Sequence, residues 1–149
     1  MKLCMIGTGY VGLVSGACFS DLGNDVICVD RDVKKVEDLK KGIIPIFEPG
    51  LDELVLKNYK NKKLKFSTNL KASISKSDVV FICVGTPSKK NGKAADLSQV
   101  YNVAREIRDS ISKFKIIITK STVPVTTGDE IEKIILQKVP KKLFSVVSN

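Results

Sequence analysis

Near the start of the chain, in MIGTGYVGLVSG, Gly7, Gly9 and Gly12 stand in the spacing G-x-G-x-x-G. Residues without a side chain let a backbone turn sharply and come close to a phosphate, so the chemistry on offer is anion binding by main-chain N–H groups. Asp30 closes the next apolar run. A carboxylate there would accept hydrogen bonds from a ribose and repel a 2′-phosphate, which favours NAD over NADP. Arg31 pulls the other way, because a guanidinium beside a ribose can serve a 2′-phosphate. Gly85 and Thr86 in VGTP, and Lys120, Ser121 and Thr122 in KSTVP, follow two later apolar runs. Their hydroxyls can bond ribose, nicotinamide or an ordered water, or simply cap the helices that follow. The chain has no histidine, which excludes a Ser-His-Asp triad and histidine-based metal centres. Cys4, Cys18, Cys28 and Cys83 form no C-x-x-C pair, and no metal site is expected.

These residues need a frame that brings them to one edge. KLCMIG reads as a buried strand, and YVGLVSGACFSDLG as a helix with Val11, Val14, Cys18 and Leu22 on one face and Gly23 as its stop. DVICVD is a second strand, and a helix from Asp32 carries Val33, Val36 and Leu39 on one side and ends at Gly42. Strand, helix and strand in this order make a βαβ unit, the setting that turns a weak glycine pattern into a dinucleotide fingerprint. In that setting Gly7 permits the turn, Gly9 admits the pyrophosphate, and Gly12 lets the helix pack closely on the sheet.

Pro45, Pro49 and Gly50 then mark a loop, followed by a short helix, LDELVLKNY. LKFSTN is a strand, with Thr68 as the cap of the small helix NLKASISK. SDVVFICVG is a strand, TPSKKNGKAA a polar loop, and DLSQVYNVAREIRDSISKF a helix with Leu97, Val100, Val103, Ile107 and Ile111 on its apolar stripe. KIIITKST, TTGDEIEKIILQKV and LFSVVS complete the series as strand, helix and strand. Alternation of this kind predicts an α/β fold, a Rossmann-type doubly wound, mostly parallel sheet covered on both faces. Its ligand edge lies at the carboxyl ends of the strands.

The chain has 149 residues, enough for one domain. Its net charge of +9 comes mostly from lysine and reads as a solvated surface. No basic stretch interleaves with aromatics as a single-strand binder requires, so no nucleic-acid partner is expected. No apolar run is long enough for a membrane span. The cysteines fall in apolar or helical patterns and are expected to be buried, reduced thiols, as in a cytoplasmic protein.

Taken together, IGTGYVGLVSG, VICVDRDVKKV, PIFEPGLDEL, VVFICVGTPS, KSTVPVTTG and the final VVSN resemble the UDP-glucose/GDP-mannose dehydrogenase family, in the family's order and over essentially the whole chain. The resemblance implies an N-terminal NAD-binding domain over residues 1–149. It also implies a four-electron oxidation, by two NAD, of a nucleotide sugar through a thioester on a catalytic cysteine. UDP-glucose is the favoured substrate, with GDP-mannose or UDP-N-acetylmannosamine as alternatives and a non-catalytic NAD-sensing module as a reading of another class. Carried over residue by residue, it places Gly7, Gly9, Tyr10, Val11 and Gly12 along the pyrophosphate and Asp30 and Lys35 at the adenosine ribose. It places Thr86 and Ser121 along the cofactor's path, Thr122 beside the cofactor and a catalytic water, and Glu48, Pro49 and Gly50 near the nicotinamide. The family continues past VVSN to its glutamate, lysine, asparagine and nucleophilic cysteine, so the 149 residues alone are expected to be inactive. The whole enzyme is expected to be a homodimer.

Overall fold

The computed structural model describes residues 1–89 and 94–149. Six strands form one sheet: β1 (Lys2–Ile6), β2 (Asp25–Val29), β3 (Leu64–Ser67), β4 (Val79–Ile82), β5 (Lys115–Thr119) and β6 (Phe144–Ser148). Their spatial order is β3-β2-β1-β4-β5-β6, and every neighbouring pair is parallel. The order reverses between β1 and β4, which opens a crevice at their carboxyl ends. Of the polar loop expected at 86–95, residues 90–93 lie outside the described residues.

Six helices connect the strands: α1 (Tyr10–Asp21), α2 (Val33–Lys40), α3 (Leu51–Lys60), α4 (Leu70–Lys76), α5 (Ser98–Arg108) and α6 (Thr127–Leu136). Alternation along each strand divides the core into two. Leu3, Met5, Val26, Cys28, Val79 and Phe81 face α1, α2 and α3. Cys4, Ile6, Val80, Ile82 and Ile117 face α4, α5 and α6. Both faces are apolar because each is covered, as a parallel sheet requires.

The inward face of α1 differs from expectation. Gly12, Leu13, Gly16, Ala17 and Ser20 are buried, whereas Val11, Cys18 and Leu22 are exposed. Close approach decides this: a Cβ on Gly16 would lie 2.5 Å from Cys28 Sγ, so the helix turns its smallest residues to the sheet. Of the apolar pattern at 11, 14, 18 and 22 only Val14 packs against the core, and Cys18 is not a core thiol. Likewise Val33 opens α2 in an exposed position, leaving Val36 and Leu39 to bury that helix. Thr68 does not cap α4; the Asn69 side chain does, accepting from the Ala72 N–H at 3.0 Å. α5 is shorter than its apolar stripe suggests and ends at Arg108.

Among the described residues one charged side chain lies fully inside. Lys115 opens β5, and its ammonium donates to the carbonyls of Ser77 at 2.6 Å and Ser75 at 3.4 Å, at the carboxyl end of α4. Burial pulls its pKa down, yet the carbonyls at a helix end are the surroundings that tolerate a cation there.

Candidate functional site

A cleft of about 410 Å³ opens at the carboxyl ends of β1, β2 and β4. Gly7 and Gly9 form one part of its lining, Asp30 and Lys35 another, and Val84 and Gly85 a third. The three motif glycines serve different needs. Gly7 has φ +102°, and a Cβ there would meet the Cys83 carbonyl at 2.7 Å. Gly12 is buried, and its Cβ would lie 1.9 Å from the Gly7 carbonyl oxygen. These two hold the turn against itself and against the end of β4, where a Gly12 Cβ would also lie 3.1 Å from Cys83 Cβ; Gly16 shares with Gly12 the close packing of α1 on the sheet. Gly9 is different: its φ of −72° suits any residue, and a Cβ would touch nothing within 4 Å. Gly85 is likewise free of neighbours. Both line the cleft, so the space left by their missing side chains belongs to the cleft. That is the fit a dinucleotide pyrophosphate requires at the start of α1.

Asp30 is the charged centre of the cleft. Its Oδ2 accepts from the Thr8 N–H at 3.0 Å, the Thr8 hydroxyl at 2.6 Å and the Lys35 ammonium at 3.2 Å. Its Oδ1 accepts from the Asp32 N–H at 3.1 Å. Burial alone would push this carboxyl up. The Thr8 donors, the Asp32 N–H and the Lys35 charge together outweigh it and hold the pKa at about 2. Thr8 is itself fully buried and was absent from the sequence expectations. The signal was available: a partly buried carboxylate must find donors, and Thr8 is the hydroxyl inside the glycine turn one strand away.

Other expected residues stand elsewhere. Tyr10 and Val11 lie in the first turn of α1, exposed and outside the cleft lining. The Tyr10 hydroxyl donates to the Glu48 carboxylate, which raises the phenol's pKa and ties the 43–50 loop to the glycine turn. Gly50 has φ +78° and opens α3. Neither Thr86 nor Ser121 caps a helix. The Thr86 hydroxyl donates to the Thr122 carbonyl at 3.0 Å, and the Ser121 hydroxyl to the Val84 carbonyl at 2.7 Å. Ser121 is buried in doing so, and the two bonds brace the ends of β4 and β5. The Thr122 side chain is exposed. Cys83 lies in the cleft lining, where burial pushes its thiol up to about 12 and keeps it protonated.

Sequence reasoning also missed one lining of the cleft. Gln99, Asn102, Val103 and Glu106 of α5 border it, with Thr68 and Leu70 beside them. Their spacing of three, four and seven residues is one helical face. It was visible in the sequence, but only Val103 was read, as core.

Comparison with known proteins bears on this geometry directly. A family model described as "UDP-glucose/GDP-mannose dehydrogenase family, NAD binding domain" matches residues 1–149. The chain belongs to this family. It is 57% identical over 149 residues to a UDP-glucose 6-dehydrogenase of Rhizobium meliloti (strain 1021), covering 100% of this chain and 34% of that protein. Among solved structures, a ternary complex of GDP-mannose dehydrogenase from Pseudomonas aeruginosa superposes with a TM-score of 0.93 at 38% identity, covering 100% of this chain and 36% of the other. A UDP-glucose dehydrogenase from the hyperthermophilic archaeon Pyrobaculum islandicum gives 0.93 at 33%, covering 99% and 35%. The chain thus spans about a third of the length of the curated relatives it matches. As the family's NAD-binding domain, it takes NAD as cofactor. Among the described residues no helix is long and apolar enough to cross a membrane.

Proposed function

We propose that this chain is the cofactor domain of an enzyme that oxidises UDP-glucose at its primary alcohol, and that NAD lies in the cleft at Asp30 and runs on from it, past the end of β4, toward the end of β5. The observation that carries the reading is Asp30. It is kept ionised by Thr8, Asp32 and Lys35, and it stands in the same cleft as the open Gly9. Its Oδ2 already accepts three hydrogen bonds and its Oδ1 only one, from the Asp32 N–H, so Oδ1 has the capacity for a ribose hydroxyl. Lys35 neutralises part of the charge but leaves a carboxylate facing the 2′ position, which disfavours NADP. Gly7 and Gly9, with the N–H groups at the start of α1, take the pyrophosphate, and Gly12 keeps that turn closed. Tyr10 and Val11 flank it from outside.

Bound NAD supplies the hydride acceptor. The protein's part at that end is to set the width of the path, which the Thr86 and Ser121 braces do by fixing the ends of β4 and β5. Thr122, exposed at the same edge, is the group proposed to orient a water. None of the four cysteines suits the thioester step. Cys4, Cys28 and Cys83 are buried with thiols pushed up by burial, and Cys18 is on the exposed face of α1. The nucleophile therefore belongs to the part of the relatives outside these 149 residues. Identity of 57% to a UDP-glucose 6-dehydrogenase supports UDP-glucose as the sugar substrate. The same proposal includes a homodimeric whole enzyme in the cytoplasm, where four free thiols stay reduced.

Calorimetric titration of the chain with NAD, NADP, UDP-glucose and GDP-mannose tests the cofactor reading. NAD should bind about tenfold or more tightly than NADP, and neither sugar nucleotide should bind comparably. No reduced nicotinamide should form from NAD and UDP-glucose with this chain, whereas the whole enzyme should form it. Equal affinity for NAD and NADP would overturn the role given to Asp30.

A further inference from the structure

We propose that Glu106 and Asn102 of α5 read the edge of the cofactor's base and make the cleft selective for an aminopurine over an oxopurine. The proposal rests on NAD lying in this cleft. With phosphates at Gly9 and ribose at Asp30, the cleft continues past β2 to Thr68 and Leu70 at the start of α4, and α5 packs on α4. The base must lie there, since the other direction leads along β4 to the nicotinamide end. Val29, Leu70 and Val103 give that part of the cleft an apolar bed for a flat ring.

The polar groups beside this bed have a defined sense. Arg105 donates to Asn102 Oδ1 at 2.8 Å, which fixes the amide so that its NH₂ is the free end, a donor. Glu106 is one helical turn on, and its carboxylate accepts only. Among the described residues it has neither a hydrogen bond nor an ion pair, although the chain carries a net charge of +9 and Arg105 is its neighbour. Gln99 and Thr68 border the same bed, and of the polar side chains that α5 turns to it Asn102 and Glu106 are the donor and acceptor spaced i and i+4. A donor followed at i+4 by an acceptor matches the edge of adenine, which presents the N1 acceptor beside the N6 amino donor. In hypoxanthine both are inverted, because N1 carries a proton and position 6 is a carbonyl. Glu106 would then face an oxygen, and the Asn102 NH₂ would face an N–H.

The test is calorimetric titration with NAD and with nicotinamide hypoxanthine dinucleotide, which differ only at that edge. The unaltered chain should bind NAD about fivefold more tightly. Glu106→Ala should bring the ratio close to one, and Glu106→Gln, which keeps the shape but adds a donor, should narrow it. Glu106 is exposed on α5, so a purely structural role could shift stability but not this ratio. Equal affinities in the unaltered chain, or a ratio unmoved in both variants, overturns the proposal while the cofactor reading stands. Binding of neither dinucleotide overturns both.

Discussion

The two walls of the ligand edge, one at β1–β2 and one at β4–β5, meet a ligand on different terms. On the β1–β2 side the fold has already arranged its polar groups around one carboxylate, and the glycine turn beside it leaves space that no protein atom fills. On the β4–β5 side the hydroxyls are spent on backbone carbonyls or turned to solvent. A motif therefore locates a side chain better than it tells what that side chain is free to do. Asp30 and Ser121 each follow a strand, but one keeps acceptor capacity on Oδ1 beyond its single bond from the Asp32 N–H and the other has committed its donor.

The sharpest break lies within the first wall. Gly12→Val forces a branched side chain onto a carbonyl already 1.9 Å from the ideal Cβ, and should cost about 4 kcal/mol or more, enough to lose the cooperative unfolding transition in far-UV circular dichroism. Gly9→Val should leave that transition intact and abolish NAD binding, because its side chain enters only the cleft. If Gly9→Val binds NAD normally, the pyrophosphate lies elsewhere.

A second, smaller effect belongs to Asp30. Asp30→Asn should narrow the preference for NAD over NADP by about tenfold. The carboxyl sits at about 2 in the folded chain and near 3.9 when unfolded, so its contribution to stability is complete above about pH 4. It is lost as the pH falls towards 2. Urea unfolding across that window should show a shallower fall for Asp30→Asn than for the unaltered chain. Parallel curves would mean that the Thr8 and Lys35 contacts do not distinguish the ionised form.

The second wall should give the smallest changes. Ser121→Ala removes a donor from the buried Val84 carbonyl and should cost about 1 kcal/mol in denaturant unfolding. Thr122→Ala should stay within about 0.5 kcal/mol and leave NAD affinity unchanged, its effect confined to turnover by the whole enzyme. A large loss of NAD affinity in Thr122→Ala would erase the contrast between the walls.

The sequence made the parallel sheet, the glycine turn and the Asp30 edge legible because each depends on local pattern: alternation, glycine spacing, a carboxylate at the end of an apolar run. The packing face of α1 was not legible, since hydrophobicity favours Val11, Val14 and Leu22 while the distance between helix and sheet favours Gly16 and Ala17. Thr8 and Glu106 were legible only as positions, a hydroxyl inside the glycine turn and a residue on one helical face; the partners that give them roles are brought near only by the crossovers.

The pairing of β1 with β4 has a consequence for how the protein is made. Leu3 lies beside Val79, and the Lys2 N–H reaches the Asp78 carboxylate across 76 positions of sequence. The glycine turn thus leaves a ribosome well before the strand end it rests on, at Cys83, which follows much later in the sequence. Until then the turn has no floor, and the exposed edge of β1 waits for its partner. Loop closure over that span is slow relative to local helix formation. A nascent chain should acquire affinity for its cofactor abruptly as β4 becomes available, and the cofactor can stabilise the domain only from that moment on.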